Sequence, residues 1–167
     1  MAGRQLREPT CLTIRPDRTQ VRKGASVIHG SCLCQRVAFE IDGTVIDLLY
    51  CHCSMCRKAH GSAFRARGKV RACDFRWTRG EDRVRYYESS PGQHRSFCSV
   101  CGSNLITRFD AKPRVLGVAL GVLDDDPVNR PICHVYVGFK APWHQITDAF
   151  PQFEQEPAGP VSPAAPT

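Results

Sequence analysis

With 167 residues the chain has the length of one domain, enough to bury a single core without help from disulfides. Its first residues, MAGRQLREPT, carry charges where a secretory leader needs an apolar stretch, and no apolar run reaches the length of a membrane span, which predicts a soluble, cytoplasmic protein with no membrane partner. The net charge of +7 is uneven: residues 57–95 hold eleven Arg or Lys against four acids and residues 1–23 hold six against two, a basic excess that serves either solubility or an anionic partner.

Residues 1–26 alternate charges with isolated apolar residues and show neither helical nor strand period, so they read as an extended or mobile arm. The domain proper is expected over residues 27–153. Val37, Phe39 and Ile41 share one face of QRVAFEID, and Asp42-Gly43 reads as a turn into VIDLLY, which together predict a hairpin. One or two helical turns are expected after Cys53 and a short helix near Ile146. RVRYYES, NLITRF, RVLGVALGV and CHVYVGF are rich in β-branched and aromatic residues and are separated by Pro-Gly, Asp-Ala-Lys-Pro and Asp-Asp-Asp-Pro breaks. The pattern predicts a mostly β domain of about seven strands with no long amphipathic helix. Phe64, Phe75, Trp77, Tyr86 and Tyr87 read as strand core, and His134 and Trp143 as packed core or pocket wall. The stretch from Glu154 to Thr167 is rich in Pro and Ala, has little to bury, and reads as a disordered tail.

Ten cysteines in a small cytoplasmic domain do not suit a disulfide framework, and seven of them fall in tight clusters. These are Cys32-Leu-Cys34, then Cys51-His-Cys53-Ser-Met-Cys56, then Cys98-Ser-Val-Cys101 followed by Gly102. Zinc prefers four tetrahedral ligands, and a Cys-x-x-Cys turn brings two thiolates onto one ion. Cys11, Cys73 and Cys133 stand apart and read as small apolar residues or, for Cys11, as an incidental tail residue.

Seven thiols do not make two closed four-thiolate sites. A natural division pairs Cys32 and Cys34 with Cys98 and Cys101 in a structural zinc site whose metal takes part in folding. Cys51, Cys53 and Cys56, contiguous on one loop, then form a three-thiolate site whose fourth position is either open, as in catalytic zinc, or closed by an imidazole. His60 is placed to supply that imidazole, whereas His52, between two ligands, is expected to point away. Two zinc ions per chain follow.

The segments GSCLCQRVAFEI, YCHCSMCRKAHGSAF, SSPGQHRSFCSVCGSNL and PICHVYVGFKAPW together resemble the glutathione-dependent formaldehyde-activating enzymes, also called the centromere protein V domain family, over roughly residues 27–153. The resemblance implies an Mss4-like zinc-containing β fold, with a structural zinc on Cys32, Cys34, Cys98 and Cys101 and a catalytic zinc on Cys51, Cys53 and Cys56. It also implies the activity of an S-(hydroxymethyl)glutathione synthase, a carbon–sulfur lyase joining formaldehyde to the glutathione thiol. His60 stands where similar proteins carry a small residue.

An open zinc site suits a thiol that is held as thiolate and directed at an aldehyde carbonyl, with a hemithioacetal as product. Glutathione carries two carboxylates, and Arg57 and Lys58 follow the proposed site closely enough to anchor them, with Arg65 and Arg67 behind. A different class of function competes: closed zinc sites as a rigid scaffold, with the basic segment Arg57 to Arg95 meeting nucleic acid or another polyanion. The sparse aromatics of that segment and the lack of a groove-reading helix favour the enzyme.

Overall fold

The computed structural model describes residues 27–157. Eleven strands and one α-helix occur among them: β1 (Ile28–Ser31), β2 (Ala38–Ile41), β3 (Ile46–Cys51), α1 (Ser54–His60), β4 (Arg65–Arg71), β5 (Phe75–Arg79), β6 (Val84–Ser90), β7 (Gln93–Cys98), β8 (Asn104–Phe109), β9 (Val115–Ala119), β10 (His134–Val135) and β11 (Gln152–Phe153). The mostly β class read from the sequence holds. The larger number of strands reflects short pairings such as β10 and β11, two residues each, too brief to show a period.

The strands form two sheets, one of three strands in the order β1-β2-β5 and one of eight in the order β11-β10-β3-β4-β9-β8-β7-β6. Val37, Phe39 and Ile41 alternate onto one face and are fully buried, as their spacing predicts. The hairpin predicted at Asp42-Gly43 does not form. β2 pairs with β1 and β5, whereas β3 pairs with β4 and β10, so the chain changes sheets at that turn. The Asp-Gly pair is a bend signal and carries no information about which strand lies opposite. Near Ile146 the chain is likewise irregular, with no helix.

Between the two sheets lies the main core, with Ile28, Val37, Phe39, Ile41, Leu48, Val70, Leu105, Ile106 and Val118 in one cluster. Phe39 sits at its centre, 5.2 Å from the Phe75 ring and 5.9 Å edge-on from Trp77. Successive residues of β3 serve opposite faces. Leu48 enters this core, while Leu49 joins a second, smaller cluster with Cys51, Cys56, Cys133 and Val135 on the other side. β3 therefore carries the first cysteine of the second motif from the main core into a separate pocket of apolar packing.

Several single-residue expectations change. Tyr87 is 65 % exposed and Tyr86 38 %, because β6 is the edge of the large sheet and neither ring reaches the core; Arg108 stacks on Tyr86 at 4.7 Å instead. Trp143 is 72 % exposed on irregular chain, while His134 is buried as expected. Cys73 is exposed and Cys133 buried. At the C-terminal end the described chain continues past residue 153, and Glu156 takes a hydrogen bond from Arg67 at 2.7 Å and lies 3.6 Å from Lys69. The arm of residues 1–26, with Cys11, and the tail beyond residue 157 lie outside the described residues. No helix among the described residues is long and apolar enough to cross a membrane.

Candidate metal centres

The first group of thiols is assembled across the two sheets. Cys32 and Cys34 lie in the connection between β1 and β2, Cys98 ends β7, and Cys101 lies in the turn to β8. All four sulfurs fall within 4.8 Å of one another. The Cys32 and Cys34 sulfurs are 3.5 Å apart and those of Cys34 and Cys98 3.9 Å apart. Four thiolates at the zinc–sulfur distance of about 2.3 Å stand about 3.8 Å from one another at tetrahedral angles, whereas a disulfide needs about 2.05 Å. The spacing fits a metal and not a disulfide.

Local backbone holds these sulfurs in place. The Val37 amide donates to the Cys32 sulfur at 3.3 Å. Gly102 adopts a φ of +76°, which lets its amide turn back to the Cys98 carbonyl at 2.8 Å and closes the knuckle read from the sequence. Ser103 links the two halves, because its hydroxyl accepts from the Leu33 amide at 3.0 Å.

The second group is local. Cys51 is the last residue of β3, Cys53 caps α1, and Cys56 lies one turn into the helix. The Cys56 amide donates to the Cys53 sulfur at 3.3 Å, so one thiol serves as helix cap and as a member of the cluster. These three sulfurs also lie within 4.8 Å of one another. His60 is not part of that group, although the helix ends at that residue and Gly61, with φ of +57°, terminates it. The set is thus three thiols and no imidazole among the described residues.

The electrostatics of this pocket are strongly graded. Hydrogen bonds to Cys53 and Cys56, reinforced by burial, push the Cys51 thiol up, whereas bonds from Cys51 and Cys53, helped by the Arg95 charge, hold Cys56 down as the thiolate. Arg95 donates from Nη2 to the Cys56 sulfur at 3.7 Å and from Nε to the Ser89 hydroxyl at 2.9 Å. Arg65 lies close by, with Nη1 donating to the Thr107 hydroxyl at 3.1 Å, and burial lowers it to about 10. Burial, then the Arg65 charge, lowers His60 to about 4, which leaves its imidazole neutral at ordinary pH.

The proposed anchors are placed differently from these two arginines. Arg57 is half-buried and donates from Nε to the His52 carbonyl at 3.3 Å, and Lys58 is exposed on the outer face of α1. Arg67 is engaged with Glu156. Arg95 was not singled out by the sequence, since nothing in QHRSFC marks its third residue as buried; only the charge of three clustered thiolates hints that a cation must lie near.

His52 points away from the thiols, into a row of imidazoles. Its Nε2 lies 2.8 Å from Nδ1 of His134, whose Nε2 lies 3.0 and 3.1 Å from the Asp148 carboxylate. Since a carboxylate only accepts, the His134 proton sits on Nε2, its Nδ1 accepts, and His52 donates from Nε2. His52 Nδ1 is then bare, and it is buried without a partner among the described residues. Burial, then His134, lowers His52 to about 4, in keeping with a neutral ring. Asp148 lies fourteen positions after His134, across mostly irregular chain, so no sequence period could reveal the pair.

A cavity of about 600 Å³ borders the first cysteine group at Cys101 and the C-terminal end of α1 at Ala59 and His60, with Phe64 and Arg65 on one wall and Ser103 and Asn104 on the other. Asn104 secures the two walls by donating to the Ala59 carbonyl at 2.6 Å.

The model of the family described as "Glutathione-dependent formaldehyde-activating enzyme" matches residues 27–138, which contain all seven clustered cysteines. The chain belongs to the glutathione-dependent formaldehyde-activating enzyme family. Among solved structures it is similar to a Rhodobacter sphaeroides protein, 27% identical, over 59% of this chain and 89% of that one, with a TM-score of 0.49. The family match stops at residue 138, so the irregular chain bearing His144 and Asp148, which packs on His52 and His134, lies beyond the part matched by the glutathione-dependent formaldehyde-activating model.

Proposed function

We propose that the protein is a zinc-dependent carbon–sulfur lyase that joins a small thiol, glutathione or one like it, to formaldehyde or another small aldehyde. The observation that carries this reading is the unequal division of thiols, four in one group and three in the other. Cys32, Cys34, Cys98 and Cys101 would hold one zinc as a closed structural centre, and Cys51, Cys53 and Cys56 a second zinc with one position left for substrate. Bound there, the ion supplies the positive charge that makes a substrate thiol available as thiolate near neutral pH.

The chain's own groups supply the rest. The cap on α1 and the Arg95 contact hold Cys53 and Cys56 in place, and His60 lies outside the three-thiol group, so no imidazole among the described residues takes the fourth position. Arg57 and Lys58, in the last turn of α1 just after Cys56, are the proposed outer anchors for the thiol's carboxylates. The cavity lined by His60 and Arg65 has room for a tripeptide-sized ligand, within the usual span of roughly 300–1,000 Å³ for small-molecule sites. In the reaction the thiol sulfur bonds to the carbonyl carbon and the thiol proton passes to the carbonyl oxygen, so no oxidant or reductant is consumed.

The test is exchange spectroscopy on 13C-formaldehyde and glutathione, whose spontaneous equilibrium gives a baseline rate. Zinc-loaded protein should raise the exchange rate in proportion to its concentration, and Cys53→Ser should return it to baseline. An exchange rate that stays at baseline with zinc bound to both groups would refute the assignment.

A further inference from the structure

Arg65 and Arg95 are 5 % and 8 % exposed, yet neither forms an ion pair with a carboxylate among the described residues. Arg65 begins β4 and Arg95 lies on β7, two strands apart across β9 and β8. Thr107 of β8 stands directly opposite Arg95 in the register and accepts from Arg65 Nη1, which brings both guanidiniums to one face of the sheet beside Cys56. The negative groups acting on Arg65 are the Cys56 and Cys51 thiols, while Arg95 and Arg67 oppose it.

Two donors in this pair are unanswered. Nε of Arg65 and Nη1 of Arg95 are buried without a hydrogen-bond partner among the described residues. Leaving such a donor unsatisfied is costly, and a charged one more so, which makes two together a sign of a missing acceptor. The charge count agrees. Three thiolates and a divalent ion leave one negative charge, the two guanidiniums exceed it by one, and His60 is neutral, so one monovalent anion brings the buried site to neutrality. The cavity reaches Arg65 from solvent, and its rim is open at Gly61, Gly102 and Gly121, where an added Cβ would meet nothing within 4 Å.

We propose that Arg65 and Arg95 form a buried receptor for one monovalent anion beside Cys56, and that in the working protein this anion is the charged sulfur or a carboxylate of the small thiol. The inference rests on reading Cys51, Cys53 and Cys56 as a metal site. It assigns the inner recognition to two residues outside α1, with Arg57 and Lys58 left to the rim.

The experiment is calorimetric titration of the zinc-loaded full chain with sodium thiocyanate, glutathione and S-methylglutathione. Wild type is compared with Arg65→Gln, Arg65→Lys and Arg79→Gln, the last removing the same charge from an exposed position. Losing a charge-assisted bond should weaken thiocyanate and glutathione roughly tenfold or more in Arg65→Gln, with Arg79→Gln close to wild type. Should Arg65→Gln fail to fold, Arg65→Lys decides, because a lysine keeps the charge but not the forked donors and should still lose several-fold. An equal loss for S-methylglutathione assigns the anion to a carboxylate; a loss confined to glutathione assigns it to the sulfur. Wild-type affinities in the folded Arg65 variants, an equal loss in Arg79→Gln, or no thiocyanate binding by the wild type would overturn the receptor. Thiocyanate binding that depends on Arg65 without any glutathione binding would instead keep the receptor and refute the thiol enzyme.

Discussion

Replacing Cys98 by Ser should unfold far more of the protein than replacing Cys53 by Ser, and the structure explains the difference. Cys98 is fully buried, and its group joins the β1–β2 connection of the small sheet to the β7–β8 turn of the large one. An unfolded chain cannot assemble these four sulfurs without closing a loop of more than sixty residues, so a metal held there would favour the folded state almost exclusively. Structural zinc contributes about 10–16 kcal/mol in zinc-finger peptides, or about 3 kcal/mol for each of four ligands, and a buried hydroxyl in place of the thiolate adds about 1–3 kcal/mol. The expected loss of about 5 kcal/mol is a large part of an ordinary domain's stability and corresponds to a fall in Tm of about 15 °C or more. Cys53 differs on each count. Its cluster spans six residues, which an unfolded chain can still bring onto a metal, and Ser is itself a favoured helix cap, so α1 keeps its first turn. Its loss should be less than half that of Cys98→Ser, with one zinc missing per chain and a cooperative transition retained. Scanning calorimetry paired with metal analysis measures both quantities. Equal destabilisation by the two variants would refute the division into a structural and a local site.

Gly30→Ala should cost about 1–3 kcal/mol in denaturant titrations, because the new Cβ would fall 2.2 Å from the Phe39 ring and 2.7 Å from the Val122 carbonyl, and a Phe39→Leu background should recover part of that loss. Asp148→Asn should free the His134 proton from Nε2 and shift the ring-nitrogen resonances of His52 and His134 together, with a loss of about 1 kcal/mol; a shift confined to His134 would show that the row is not coupled. Neutralising Arg57 and Lys58 together should weaken glutathione binding about tenfold, whereas neutralising Arg79 and Arg83 should change it less than twofold, as isothermal titration will show. Duplex DNA titrated across a salt series should bind weakly and without discrimination between these two double variants; a steep salt slope reduced equally by both would point to a polyanion surface.

The cysteine spacing alone picked out both thiol groups that the structure assembles. Cys-x-Cys and Cys-x-x-Cys are local devices whose geometry follows from one turn of backbone, and seven thiols divide only into four and three if one site is to be closed. The alternation of Val37, Phe39 and Ile41 likewise predicted a buried face, because a strand's period of two is a local property. Strand partners are not local, and there the sequence reading failed: Asp42-Gly43 bends the chain whether the next strand returns beside β2 or, as here, enters the other sheet. Tyr86 and Tyr87 carry strand propensity like any core residue, but only the position of β6 at the sheet edge leaves them in solvent. The surroundings of the thiols belong to the same class of facts. Arg95 reaches Cys56 from 39 residues away and His134 reaches His52 from 82, across strands that the sequence does not order. Which thiols come together was therefore legible in the chain, while the charges and hydrogen bonds around them were decided by tertiary pairing, since electrostatic and hydrogen-bond partners are chosen by distance in space and not along the chain.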